Sequence, residues 1–153
     1  MSGSVVRWAV PGDAEALVGL RAAMFDAMGQ DPIGEAWRTA ARAWFAERLA
    51  GPDLLIAVAD VPGRGPVSSA MAVVERRAPS PSNPSGLAAH LSQVSTLPGH
   101  RRHGHARACL LALLAELDRR EVRRTDLFAT GDGEALYLDV GFRPSPYPAL
   151  RRP

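Results

Sequence analysis

Lysine is absent from this chain of 153 residues; all eighteen of its basic side chains are arginine. A Walker A phosphate loop, a lysine Schiff base and a lysine nucleophile therefore each lack the residue they depend on. Cysteine occurs once, at Cys109, which excludes an intrachain disulfide and any structural zinc site built on paired thiolates. A reducing compartment suits such a chain. No run approaches the roughly 18 apolar residues of a membrane helix. The opening Met1-Ser2-Gly3-Ser4 carries neither the basic flank nor the apolar stretch of a targeting segment, so the expectation is a cytoplasmic protein with no membrane partner. What is present is ordinary for a globular protein: 46% hydrophobic and 22% charged residues, a balance that excludes wholesale disorder and fibrous architecture. The length suits one domain, residues 1–153, with one core. Net charge is only +2, and a genome-wide preference for arginine codons accounts for most of the basic surface. The cluster Arg101, Arg102 and Arg107 nevertheless points to a local anion site.

Val5, Val6, Trp8 and Val10 predict a first strand, stopped by Pro11-Gly12. From Asp13, apolar residues Leu17, Leu20, Met24 and Met28 recur at helical spacing, with Asp13 and Glu15 at the positive end. Gly29 and Asp31-Pro32 interrupt this helix, and Trp37, Ala41, Trp44, Phe45 and Leu49 mark a second. The apolar runs 54–59 and 67–74, joined by Pro62-Gly63-Arg64-Gly65-Pro66, predict an antiparallel hairpin. The proline- and serine-rich stretch 78–86 reads as a loop. Residues 90–97 return to strand character, less hydrophobic than the hairpin, and a leucine-rich helix begins near Gly104 with Leu110, Leu113, Leu114 and Leu117 on one face. A further strand over 126–130, a turn over 131–133, a short helix over 134–140 and an extended piece from Phe142 complete the order β α α β β β α β α β.

The stretch Val94-Ser95-Thr96-Leu97-Pro98-Gly99-His100-Arg101-Arg102-His103-Gly104-His105-Ala106-Arg107 carries the most chemistry. A polar strand runs through a turn directly into a helix, and the free N–H groups of a helix start are donors aimed past the strand end. Gly104 has no side chain to hold a phosphate off the backbone, Ala106 keeps the helix close to the sheet, and three arginines add charge. The arrangement suits a pyrophosphate.

Arg101, Gly104 and Ala106 match the signature of the GCN5-related N-acetyltransferases (Arg or Gln, two residues, Gly, one residue, Gly or Ala), and in these residues the sequence resembles that family. The polar strand before them, the leucine-rich helix after them, the element order and Leu136-Tyr137-x-x-x-Gly141-Phe142 all fall where the family has them. The resemblance implies a single mixed α/β (α+β) domain: a mostly antiparallel central sheet with one splayed strand pair, flanked by about four helices. It implies acetyl-CoA as cosubstrate and no metal, with the pyrophosphate on the amides of Arg102, His103, Gly104, His105, Ala106 and Arg107 and with Arg101 also in the cofactor site. The pantetheine arm would lie along Val94, Ser95 and Thr96 in place of a missing strand, and backbone N–H groups there would steady the thioester oxygen. Tyr137 matches the general acid that protonates the departing thiolate. The acceptor it implies is a primary amine, with small molecules favoured, attacking directly in a ternary complex; the family also allows a homodimer. A non-catalytic acyl-CoA sensor on the same fold is the alternative. For the base, Glu75, His90 and a water chain remain open. Thr130 stands seven residues before Tyr137, where many members carry Asn, so that residue's role does not transfer.

Other readings weigh less. His100, His103 and His105 lack a neighbouring thiol or carboxylate and read as solvent-facing turn residues, with no metal. Cys109 reads as packing. Trp37, Trp44 and Phe45 divide between core and a lid over the acceptor pocket. The arginines at 119–124 are mixed with Glu116, Asp118 and Glu121 and lack an aromatic platform, so a solvated helix end is favoured over nucleic-acid binding. Acceptor choice is expected to rest on the loops 29–34 and 78–86.

Overall fold

The computed structural model describes residues 3–153; Met1 and Ser2, part of the opening read above as free of a targeting segment, lie outside the described residues. Five strands form one sheet in the order β1 (Val5–Trp8), β2 (Leu54–Val61), β3 (Gly65–Arg76), β4 (Leu87–Thr96) and β5 (Arg124–Asp126). Successive pairs are antiparallel except the last, β4 with β5, which is parallel. α1 (Ala14–Ala27) and α2 (Glu35–Arg48) cross over between β1 and β2, α3 (His105–Arg119) joins β4 to β5, and α4 (Glu134–Asp139) follows β5. A parallel pair needs such a crossover, and α3 supplies it.

The sheet is covered on both faces. In β2, Ile56 and Val58 pack with Leu17, Leu20 and Phe45 of α1 and α2, while Ala57 and Ala59 alternate to the other side and meet Leu110, Leu113 and Leu117 of α3. A strand buried on both faces reads as an unbroken apolar run, which is why 54–59 carries no alternation in the sequence. The α3 side of β2 and β3 is lined by small residues, Ala57, Ala59, Ala70 and Ala72, so the leucines of α3 reach the sheet without crowding. At the edge, Arg7 of β1 donates to both carboxylate oxygens of buried Asp13 at 2.8 Å and also bonds Asp60 of β2, tying the start of α1 to the sheet.

Two expectations are corrected. The strand expected over 126–130 is observed at Arg124–Asp126, because its ladder with β4 ends at His90–Asp126 and the chain beyond has no backbone to pair with. The extended piece from Phe142 forms no strand among the described residues. Pro144, Pro146 and Pro148 remove every second N–H donor along it, so it cannot join a ladder.

Candidate active site

β4 and β5 part almost as soon as they meet. They are matched only at Ala88–Arg124, Ala89–Thr125 and His90–Asp126, and from residue 91 to Thr96 β4 has β3 on one edge and no strand on the other. A bulge lies in this stretch. The β3 register shifts between Ser69 and Met71, and Gln93 takes a left-handed φ of 45°. Side chains hold it: Gln93 Nε2 donates to the Leu17 carbonyl at 3.0 Å, the Ser95 hydroxyl to the Leu20 carbonyl at 2.8 Å, and the Ser69 hydroxyl to the Gln93 carbonyl at 2.9 Å. These ties account for polar residues in a strand less hydrophobic than the hairpin: buried Gln93 and Ser95 both bind α1.

A cavity of about 1210 Å³ occupies the gap. α1 and α2 wall it from one side of the sheet, and Phe128, Thr130, Gly133 and Tyr137 wall it from the other, so it passes through the opening between the strands. A second hollow of about 350 Å³ at the start of α3 shares Thr96 and Arg101 with it.

That second hollow is built from backbone. Between Pro98–His100 and α3 the chain turns through two left-handed residues, Arg102 at φ 64° and Gly104 at φ 78°. No side chain caps α3, and none of the N–H groups of residues 101–107 meets a protein acceptor among the described residues. Successive unpaired amides of this kind make a concavity selective for anions, reinforced by the positive end of a helix of fifteen residues. A Cβ at Gly104 would meet nothing within 4 Å, so the space before these amides is open. Arg101 Nε donates to the Thr96 carbonyl at 3.1 Å, whereas Arg107 is drawn to Asp139 of α4 at 3.1 Å. Of the anticipated residues, Val94, Ser95 and Thr96 line the larger cavity, and Arg101, Arg102, Gly104, His105, Ala106 and Arg107 line the smaller one. The exposed His103 side chain lines neither.

Tyr137 faces the larger cavity from α4. Burial pushes its phenol above the ordinary range, which keeps it protonated. Its ring meets Phe142 edge-on at 5.9 Å and lies against Gly133, where a Cβ would come within 3.1 Å of Cε2. Gly133 thus makes room for the tyrosine. The carbonyl of Thr130 accepts from the N–H groups of both Gly133 and Glu134 at 3.1 Å, fixing the turn into α4.

The two side chains offered as the base separate. Glu75 is exposed, paired with Arg77, and contributes nothing to the cavity wall. His90 does line it, at the point where the strands diverge; its Nδ1 lies 2.9 Å from Asp126 Oδ1 and its ring packs on Phe128 at 5.4 Å. Partial burial pushes the Asp126 carboxyl up, but hydrogen bonds from Arg77 and His90 outweigh it and hold the group below the usual carboxylate range. With Nδ1 engaged, Nε2 is the nitrogen left for the cavity.

Solved structures with this architecture span essentially the whole chain. A GCN5-related N-acetyltransferase from Ralstonia eutropha is 26% identical with a TM-score of 0.86, covering 98% of this chain and 99% of its own. The chain has the GCN5-related N-acetyltransferase fold. A predicted acetyltransferase from Clostridium acetobutylicum, solved with acetyl-CoA, is 22% identical with a TM-score of 0.85, covering 97% of this chain and 96% of its own. An aminoglycoside N-acetyltransferase in complex with CoA is 18% identical with a TM-score of 0.77, covering 100% of this chain and 96% of its own. No family model matches the chain, and no curated protein sequence does. The resemblance carried by Arg101, Gly104 and Ala106 is borne out in the GCN5-related fold, including the splayed pair.

Within this GCN5-related fold some sequence expectations change. His105 is not a solvent-facing turn residue: it is 5% exposed, and burial, aided by His103 and His100, pushes its imidazole below the ordinary range. His105 stands one turn before Cys109 and two before Leu113, on the face of α3 that is buried. Among the described residues no group of His, Cys, Asp and Glu could hold a metal ion. Cys109 is buried, its thiol pushed up to about 12 by burial. Phe45 belongs to the core, while half-exposed Trp44 stands in the cavity wall. Neither loop expected to govern acceptor choice, 29–34 or 78–86, lines the cavity; that wall comes from Met24, Ala27, Met28, Ala40 and Ala41 instead.

Proposed function

We propose that this protein is an N-acetyltransferase that transfers the acetyl group of acetyl-CoA to a primary amine of a small molecule by direct attack in a ternary complex. The observation that carries the reading is the run of unpaired amides at 101–107, opening onto a gap between two strands into which Tyr137 faces. Acetyl-CoA fits these features: an anion-selective backbone concavity for the diphosphate, then a strand edge for the amide-bearing arm, then a cavity for the thioester. When bound, it supplies an acyl carbon activated by a thiolate leaving group.

The chain's own residues do the rest. The amides of 101–107 fix one end of the donor, and the open edge of β4 at Val94, Ser95 and Thr96 aligns the arm and offers N–H groups to the carbonyl oxygen as it gains charge. His90, oriented by Asp126, takes the proton from the amine as the new C–N bond forms. Tyr137 gives its proton to sulfur as the C–S bond breaks, and solvent returns the two side chains to their starting states. No covalent enzyme intermediate is required.

The test is calorimetry with CoA, followed by thiol release from acetyl-CoA over a panel of small primary amines. Micromolar binding with amine-dependent release supports the reading. Tight binding with no release over the whole panel would instead favour an acyl-CoA sensor, and absence of binding would remove both.

A further inference from the structure

We infer that Arg21 forms an anion subsite in the acceptor half of the cavity, so that the acceptor is an amine that also carries a carboxylate or phosphate group. The inference rests on the acetyltransferase reading and names the substrate class for that same site.

Arg21 lies on α1, half-buried, and lines the cavity. Its neighbours hold the guanidinium without neutralising it. One N–H donates to Gln93 Oε1 at 3.2 Å, and the group lies 5.1 Å over the Phe25 ring. Gln93 is itself fixed by its bond to the Leu17 carbonyl and is 2% exposed, so its oxygen cannot turn away. Neither partner bears a charge. This sets Arg21 apart from Arg7, Arg42, Arg77, Arg107, Arg119 and Arg120, each paired with a carboxylate among the described residues. Burial acts on the Arg21 guanidinium against its charge, with no acid opposing it.

The surrounding wall has no counter-ion to offer. Its residues from α1, α2 and β3, Met24, Ala41, Trp44, Phe45 and Met71 among them, include no carboxylate, and Asp132 on the far side is the one acid of the lining among the described residues. A desolvated cation held by a neutral cradle, with most of its planar fork of donors unused, is a receptor for a bidentate anion. The same charge balance disfavours polycationic acceptors, and the apolar walls favour an anionic amine with a hydrophobic body. The source of the anion, carboxylate or phosphate, is left to the test.

The experiment compares matched acceptors: phenylalanine with phenylalaninamide, and 2-aminoethyl phosphate with ethanolamine, by thiol release and by calorimetry on the CoA-loaded protein. In at least one pair the anionic member should be preferred by tenfold or more in kcat/KM or in Kd, on the order expected for a charged hydrogen-bonded contact. Which pair responds identifies the anion. Arg21→Gln should collapse that preference to within about twofold, and Arg21→Lys should restore part of it, with thermal unfolding and CoA titration checking that each variant is folded. If Arg21 merely ties α1 to β4, the variants lower both members of each pair equally, and the subsite is refuted. Preference for the neutral member in both pairs refutes it too. Failure to bind CoA refutes the transferase reading, and calorimetry of the same pairs on the unloaded protein then decides the subsite.

Discussion

Replacing Gly104 by Glu should abolish CoA binding, and the fold supplies its own control. Gly104 and Gly63 have nearly the same left-handed φ, 78° and 75°, and a Cβ at either would meet nothing within 4 Å. Glutamate at each position therefore imposes the same backbone strain, roughly 1–2 kcal/mol, or about 2–8 °C in Tm for a domain of this size. The positions differ in what surrounds them. Gly63 lies in the exposed turn between β2 and β3, whereas Gly104 stands in the run of amides 101–107 that meet no protein acceptor among the described residues. A carboxylate there competes for the amides and repels the diphosphate. Losing even two charge-assisted bonds, at roughly 1.5–3 kcal/mol each, weakens binding about 10²–10⁴-fold. Calorimetry of Gly104→Glu, Gly63→Glu and the parent protein with CoA measures the difference, with thermal scans confirming equal destabilisation. Equal CoA affinity in the two variants would refute the argument that this backbone holds the donor.

Tyr137→Phe should slow acetyl transfer by about 10²–10⁴-fold without abolishing it. Because burial raises the phenol, the alkaline fall in kcat should lie above the pH at which an ordinary tyrosine ionises, and it should vanish in the variant. Gly133→Ala places a methyl 3.1 Å from the Tyr137 ring at a conformation alanine tolerates, so stopped-flow assays should show kcat falling while Tm changes little. Asp126→Asn should leave His90 without the carboxylate that orients its ring, and kcat in thiol-release assays should fall while CoA affinity by calorimetry stays unchanged. Cys109 gives a stability test: its thiol is held up to about 12 against 9.0 when unfolded, so the folded state keeps a proton that the unfolded state gives up. Unfolding free energy should fall as pH rises from about 9 to 12, and Cys109→Ala should flatten that slope.

Where apolar spacing was the dominant signal, the sequence sufficed. The leucines at 110, 113 and 117 place α3, the run at 54–59 places a strand buried on both faces, and Arg101, Gly104 and Ala106 mark the turn between polar strand and helix. These are local signals, because helix periodicity and turn chemistry are set by residues within a few positions of one another. The arrangement in space is what separated the candidate bases, since His90 lines the cavity and Glu75, turned to Arg77, does not. It also gave Gln93 its role, through a bond to Leu17 across 76 positions of sequence.

The sequence by itself determined the four helices, the first four strands and their order, and the glycine-bearing turn before α3, because each is written in neighbouring side chains; the bounds of β5 and the strand expected from Phe142 are the exceptions. Only the tertiary structure decided where β4 and β5 diverge, which side chains wall the resulting cavity, and that Arg21 stands there with no carboxylate partner among the described residues. Those facts depend on which distant segments come together and which charges are left unmatched when they do, and no local pattern along the chain records that.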